Sequence, residues 1–281
     1  MTRCLTTSEN DYLRHFTEGA TLYIRGALPE IRNFTVAIVG TRKPTEYGAR
    51  TAYKTAYELV RQGVTVISGL ALGIDAAAHR GALDGATLAT SNTGFVPTIA
   101  VLASGVNNVT PRQNQGLSEQ ILSAGGAILS EYPDEKPNSV KAWQLLARNR
   151  IVSGLADAVI IVEAAARSGT SSTARHAMKQ GRPVFIVPGR LTDVMSAGCL
   201  ELLEEHPDKV RIFTTVNKLL GATRLNDHEV KVASASLEPS CITTKAKDMI
   251  RAGSTSTEIA KRLEIGAAEL AQIQTELELF G

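Results

Sequence analysis

Five segments of this 281-residue chain are built from the residue types that hold an anion. They are Gly40-Thr41-Arg42-Lys43, Ser68-Gly69-Leu70-Ala71-Leu72-Gly73, Ser104-Gly105, Arg167-Ser168-Gly169-Thr170-Ser171-Ser172-Thr173 and Pro188-Gly189-Arg190. Glycine lets backbone N–H groups approach an anion, a helix N-terminus adds partial positive charge, and hydroxyls supply further donors. Arg42, Arg167 and Arg190 add full charges. One such loop is usually no more than a tight turn. Five of them, three with an arginine, point to a phosphate-binding surface. The first loop has only Gly40 and Gly48, so it lacks the G-x-G-x-x-G dinucleotide fingerprint, and no G-x-x-x-x-G-K-[ST] occurs anywhere. ATP hydrolysis is therefore not indicated.

Other side chains with chemical potential have plainer readings beside the functional ones. Asp75 and His79, four apart on a predicted helix, would form an acid–base pair or half a metal site. The plainer expectation is an Asp75 cap and a structural hydrogen bond from His79. His176 sits inside another helix with no obvious carboxylate partner. Glu163 ends an apolar run beside the Arg167 loop, where fixing an arginine is a more ordinary role than catalysis. Trp143 precedes Arg148-Asn149-Arg150 and could stack a base, although a lone tryptophan on a helix is more often core. Cys4, Cys199 and Cys241 are scattered, with no C-x-x-C pair, which argues against disulfides and a cysteine zinc site and fits a reducing cytoplasm.

The elements that must position these loops are legible as alternating patterns. Six β-branched runs recur: FTVAIV from Phe34, VTVI from Val64, TIAVLA from Thr98, GAILS from Gly126, AVIIVEA from Ala158 and PVFIVP from Pro183. Most are apolar on both faces, as strands of a parallel sheet covered by helices should be. Helical periodicity lies between most of them, for example ARTAYKTAYELVRQG and SSTARHAMKQG. This predicts an α/β fold with a doubly wound, mostly parallel sheet, whose ligands bind beyond the carboxyl ends of the strands.

The expected organisation has four parts. Residues 1–19 read as an N-terminal helical remnant and 20–221 as the core, with 20–33 supplying an edge strand and turn. Residues 222–240 read as a linker, and 241–281 as a small all-α helix-turn-helix or winged-helix-like module. The N-terminus has no apolar signal region, and no run of 18 apolar residues suggests a membrane span, so no membrane role is expected. Hydrophobic residues make up 43% and charged residues 21%, which excludes wholesale disorder. The net charge of +2 hides a gradient: residues 36–190 hold 16 basic and 10 acidic residues, so an anionic partner belongs there.

The segments VAIVGTRKPTEYG, VISGLALGIDAAAHRGAL, AILSEYP, ARNRIVSGLADAVIIVEAAARSGTSSTARHA and GRPVFIVPGR, in this order, closely resemble the DprA/Smf family of DNA-processing proteins. The resemblance covers roughly residues 20–200. It implies an extended Rossmann core that binds single-stranded DNA, forms a homodimer through that core and helps load a RecA-type recombinase in natural transformation. It implies no catalysis and no cofactor. Arg42 and Arg167 match the family's phosphate-contacting positions, and Ser68, Gly69, Ser168 and Gly169 match its pocket. Arg148 and Asn149 match its Arg-Asn-Arg motif, and Thr170 and Arg190 complete the candidate set. The chain departs from the family at Leu72, where arginine is usual, at Thr110-Pro111, at Thr170–Thr173 and in a longer connection over residues 89–97. Two other functions compete. One is a nucleotide phosphoribohydrolase-like enzyme, with Glu163 as carboxylate and Ser168-Gly169-Thr170 on the phosphate. Its Pro-Gly-Gly-x-Gly-Thr loop with a following Glu is not present. The other is a duplex-DNA regulator, whose candidate recognition helix carries Glu269, Gln272, Gln274 and Glu276 but no Lys or Arg.

Overall fold

The structure is a computed structural model. It describes residues 2–6, 21–28, 33–87, 95–134, 140–166 and 168–224, together with Met249, Thr255, Glu258 and Ile259. The chain divides into two compact units, Met1–Val230 and Lys231–Gly281. The first contains a nine-stranded sheet, in the order β1-β2-β6-β5-β4-β3-β7-β8-β9.

The six apolar runs form its centre: β3 (Thr35–Val39), β4 (Thr65–Ser68), β5 (Thr98–Leu102), β6 (Ala127–Ser130), β7 (Ala158–Ile161) and β8 (Val184–Ile186). All are parallel to their neighbours within that group. Each is buried along its whole length because helices cover both faces of the sheet. Alternation sorts the side chains. Ala37, Val39, Ile67, Val101 and Ile161 join one core with Ile151 and Val152 of α4 (Ala142–Gly154), Ala174 of α5 (Gly169–Lys179) and Leu202 of α6 (Val194–Glu205). Val36, Ile38, Val66 and Ile160 join the opposite core with Leu59 of α1 (Glu46–Arg61), Ile74 and Ala78 of α2 (Ile74–Thr87) and Leu219 of α7 (Val216–Arg224). A third cluster packs Leu102 and Ile128 against Ile121 of α3 (Gln115–Ser123).

Four features differ from the sequence reading. Residues Thr2–Thr6 form strand β1, antiparallel to β2 (Thr21–Gly26), where a helical remnant was expected. Strand β2 is consequently not the edge, since it lies between β1 and β6. A ninth strand, β9 (Val210–Ile212), extends the other end. It is three residues long with Arg211 and Ile212 exposed, too short and too mixed for a strand pattern. Helix α7 also runs to Arg224, past the expected start of the linker.

In the second unit the described residues include a capping box. Thr255 donates its N–H and hydroxyl to Glu258, whose own N–H returns to the Thr255 hydroxyl. The remainder of the expected linker and helical module lies outside the described residues, as do 7–19 of the N-terminal segment and 89–94 of the lengthened connection.

Candidate functional site

Strand β3 is the hinge of the topology. The chain leaves it toward β4, β5 and β6 on one side, while β7, its other neighbour, leads to β8 and β9. Loops leaving β3 and β7 therefore diverge and open a crevice at their carboxyl ends. A cavity of about 540 Å³ occupies it. Gly40, Thr41, Arg42 and Lys43 form one wall, Gly69 and Ala71 another, and Ser168, Gly169 and Thr170 a third. Arg148 and Asn149 of α4 close it together with Leu145 and Leu146, an apolar part of the wall that the sequence reading did not anticipate.

The loop after β3 is pinned at both sides. The Thr41 N–H donates to the Glu163 carbonyl at 2.8 Å, and the Ile74 N–H to the Thr41 carbonyl at 3.1 Å. Arg42 and Lys43 are left exposed at the cavity mouth. Close passage of the next loop requires Gly73, whose φ is +82°. A β carbon there would lie 2.4 Å from the Thr41 carbonyl oxygen and 2.7 Å from the Arg42 carbonyl carbon. Replacing Gly73 with alanine should therefore cost at least ~1–2 kcal/mol from the left-handed backbone alone and should displace Arg42. Thermal unfolding would show the first effect, and weakened anion binding the second.

The loop after β4 is held by three buried polar side chains from different elements. Asp75 of α2 accepts from the Gly69 N–H at 3.1 Å and the Ala71 N–H at 3.4 Å. Asn114 donates to the Leu70 and Ala71 carbonyls at 2.9 and 3.0 Å, which braces Leu70 at a φ of +53°. Arg148 donates through Nη1 to the Gly69 carbonyl at 2.6 Å and to the Val101 carbonyl. Burial pushes the Asp75 carboxyl above its usual range, opposed by Arg148 and by the Ala71 and Gly69 N–H groups. Gly69 has no alternative, because a β carbon would meet the Arg148 guanidinium.

The third wall is the start of α5, with Ser168 as N-cap. The helix N-terminus directs unsatisfied N–H groups and positive dipole charge at this position. Two buried polar atoms of cavity-lining residues, Ser168 Oγ and Arg148 Nε, have no hydrogen-bond partner. Buried groups of this kind are ordinarily completed by an ordered water or ion.

The candidate residues thus sort clearly. Arg42, Gly69, Arg148, Asn149, Ser168, Gly169 and Thr170 meet around one cavity. Ser68 is buried beneath it and donates to the Ile38 carbonyl at 2.6 Å. Asn149 donates to the Gly169 carbonyl at 3.2 Å, tying α4 to α5. Arg148 faces inward onto carbonyls. Arg190 lines a separate cavity of about 610 Å³ with Tyr47, Glu163 and Ser196, and Arg167 lies outside the described residues. The Ser104-Gly105 loop is occupied structurally: Asp134 accepts from the Asn107 N–H and side-chain amide, and fills the space a Gly105 side chain would need.

Glu163 is engaged at the start of α1, while Arg167, the arginine it was expected to fix, lies outside the described residues. The Glu163 carboxylate accepts from the Thr45 N–H at 3.0 Å and the Thr45 hydroxyl at 2.5 Å. It does not line the Ser168 cavity. Asp75 and His79 do not pair, since His79 Nδ1 meets the Thr98 hydroxyl at 2.8 Å. Trp143 is 62% exposed, not core. Among the described residues no cluster of His, Cys, Asp and Glu could hold a metal ion, and no helix is long and apolar enough to cross a membrane.

With this geometry in view, the chain matches the family described as DNA recombination-mediator protein A over residues 4–222. It is 41% identical over 177 residues to protein Smf of Escherichia coli, covering 63% of this chain and 44% of that one. The chain therefore spans less than half the length of that relative. The structure is similar to DNA processing protein A of Helicobacter pylori, for which a single-stranded DNA binding mode has been described (TM-score 0.64, 29% identity, 80% of this chain and 98% of that chain). It is also similar to DprA of Streptococcus pneumoniae (TM-score 0.65, 31% identity, 81% and 74%).

Proposed function

The chain belongs to the DNA recombination-mediator protein A family, also called DprA/Smf, and from that premise we propose that its switch-point cavity binds single-stranded DNA without altering it chemically. The observation that carries this reading is the convergence of the α5 N-terminus, capped by Ser168, with exposed Arg42 and Lys43 around one cavity. A phosphate supplies several acceptor oxygens and a negative charge to such a set. The donors are backbone and side-chain groups with no reach into a base-pair groove, so recognition is of the backbone and indifferent to sequence. A single strand can turn one phosphate into a concave site, whereas a duplex holds its phosphates on a regular outer surface.

In this reading the protein acts in the cytoplasm as a recombination mediator. It holds incoming single strands, forms a homodimer through the Rossmann-like core and passes the strand to a RecA-type recombinase. A phosphoribohydrolase-like reaction has less support, because Glu163 is engaged by Thr45 and lines a different cavity from Ser168.

Fluorescence anisotropy with labelled oligo-dT and its duplex, across a salt series, tests the proposal. Binding should favour the single strand and weaken steeply with salt. Arg42→Ala should weaken it uniformly across sequences and lower the slope of log K against log salt by about 1. Absence of binding, or an Arg42→Ala variant identical to wild type, would remove the site from this cavity.

A further inference from the structure

We propose that Tyr132 and Trp143 form a base-stacking platform beside the cavity, which holds a nucleotide adjacent to the one whose phosphate enters it; this rests on the single-strand reading above. Trp143 is the sole tryptophan and, at 62% exposure, contributes little to the core. It is the second residue of α4, whose Ala142, Leu145, Leu146 and Asn149 line the cavity. Leu146, itself 46% exposed, lies three residues further along. Residues at that spacing are neighbours on one helix face, with β carbons about 5–6 Å apart. Trp143 therefore stands one helical turn from the cavity wall.

The two rings meet edge to face, with centroids 6.2 Å apart and planes at 75°. Such an arrangement leaves ring surface of Trp143 free for a planar partner. The platform is also held in place before any ligand arrives. The Tyr132 N–H donates to the Ser130 hydroxyl at 3.0 Å, and the adjacent Glu131 is bridged to Arg150 of α4 at 2.6 Å. One ion pair thus clamps the segment after β6, which carries Tyr132, to the helix that carries Trp143.

The surroundings select a nucleic-acid base over an apolar protein segment. Lys141 is exposed at the start of the same helix, Arg42 and Lys43 stand at the cavity mouth, and the nearby acidic Glu131 is neutralised by Arg150. Aromatic surface interleaved with positive charge is the pattern of sequence-tolerant single-strand binding. An apolar peptide would leave these cations unmatched.

The test compares oligo-dT with a strand of equal length made of abasic spacers, using the full chain. Wild type should prefer oligo-dT by about tenfold, a typical value for one stacked base. Trp143→Ala should remove most of that preference while leaving affinity for the abasic strand and the salt slope unchanged. Trp143→Phe should restore most of it. Tryptophan fluorescence, excited at the red edge of the band where tyrosine does not absorb and so reporting Trp143 alone, should be quenched by oligo-dT and not by saturating abasic strand. Trp143→Ala binding oligo-dT as tightly as wild type, while Arg42→Ala still loses binding, would overturn the platform and leave the single-strand reading standing. Equal loss on both strands would also overturn it, because a stacking residue has nothing to lose on an abasic chain. Failure of wild type to bind either strand would sink the single-strand reading, and the platform with it.

Discussion

Arg148→Met should destabilise the protein by about 3–5 kcal/mol, the usual cost of removing one member of a buried charged network. Arg148 is only 5% exposed, and its guanidinium closes the carbonyl ends of β4 and β5 through Gly69 and Val101. Methionine fills much of the same space but donates nothing. Two buried carbonyls would then lose charge-assisted hydrogen bonds, each worth about 1.5–3 kcal/mol. Buried Asp75 would also lose the cation that opposes its desolvation. Urea unfolding should show a lower midpoint with an unchanged m-value. Adding Asp75→Asn should recover part of the loss, because it removes the uncompensated carboxylate while retaining an oxygen that can accept from Gly69 and Ala71. A loss under about 1 kcal/mol would mean that water replaces the guanidinium, and the loop after β4 would then be held by Asp75 and Asn114 alone.

His79 should cost the folded protein about 2 kcal/mol of stability between neutrality and pH 5. His79 is fully buried. The Thr98 hydroxyl donates its one hydrogen to the Val66 carbonyl at 2.8 Å, so it must accept from His79 Nδ1–H. That assigns the neutral tautomer and leaves Nε2 as an unpartnered lone pair. Burial first, then the charges of Arg148 and Arg80, lower the pKa from 6.5 to about 3. Between these values the unfolded chain binds a proton that the folded one refuses. Unfolding is therefore favoured progressively as pH falls through that window, by about 1.4 kcal/mol per pH unit. Asp75 acts in the opposite sense. Its raised folded pKa lets the native state hold a proton the unfolded chain has released, so its contribution grows as pH falls toward its ordinary value. The two are separated by comparing wild type with His79→Leu from pH 7 to 5. The variant should lack one proton's worth of slope, and parallel curves would show that His79 is charged in the folded protein.

Both expectations concern residues whose partners are remote in sequence, and that separation marks the limit of what the chain reveals when read linearly. Strands β3 to β8 were legible because each must be apolar on both faces, a local property of three to five residues. Strands β1 and β9 were not: β9 is short and half exposed, and β1 belongs to the sheet only through its pairing with β2. The same division runs through the cavity. Arg42, Ser168, Gly169 and Thr170 announce themselves by residue type in loops that follow apolar runs. Leu145 and Leu146 carry no such signal, since leucine on a helix ordinarily means core, and neither did Asn114 as the brace of Leu70.

Composition and the alternation of apolar runs with helical segments by themselves determined a parallel α/β sheet, and residue type picked out Gly/Ser/Thr-rich loops at its carboxyl edge, because each depends on side chains within a few residues of one another. Only the tertiary structure decided which loops share a cavity and which charged groups face it. Arg148 turns to a carbonyl 79 residues away, and Glu163 is drawn to a helix start 118 residues away. Arg190 falls into a different crevice from Arg42, and Trp143 is left in solvent. The reason is strand order. Placing β3 between β4 and β7 brings the loops of three distant segments together, and buried polar groups then take whichever partner that assembly supplies.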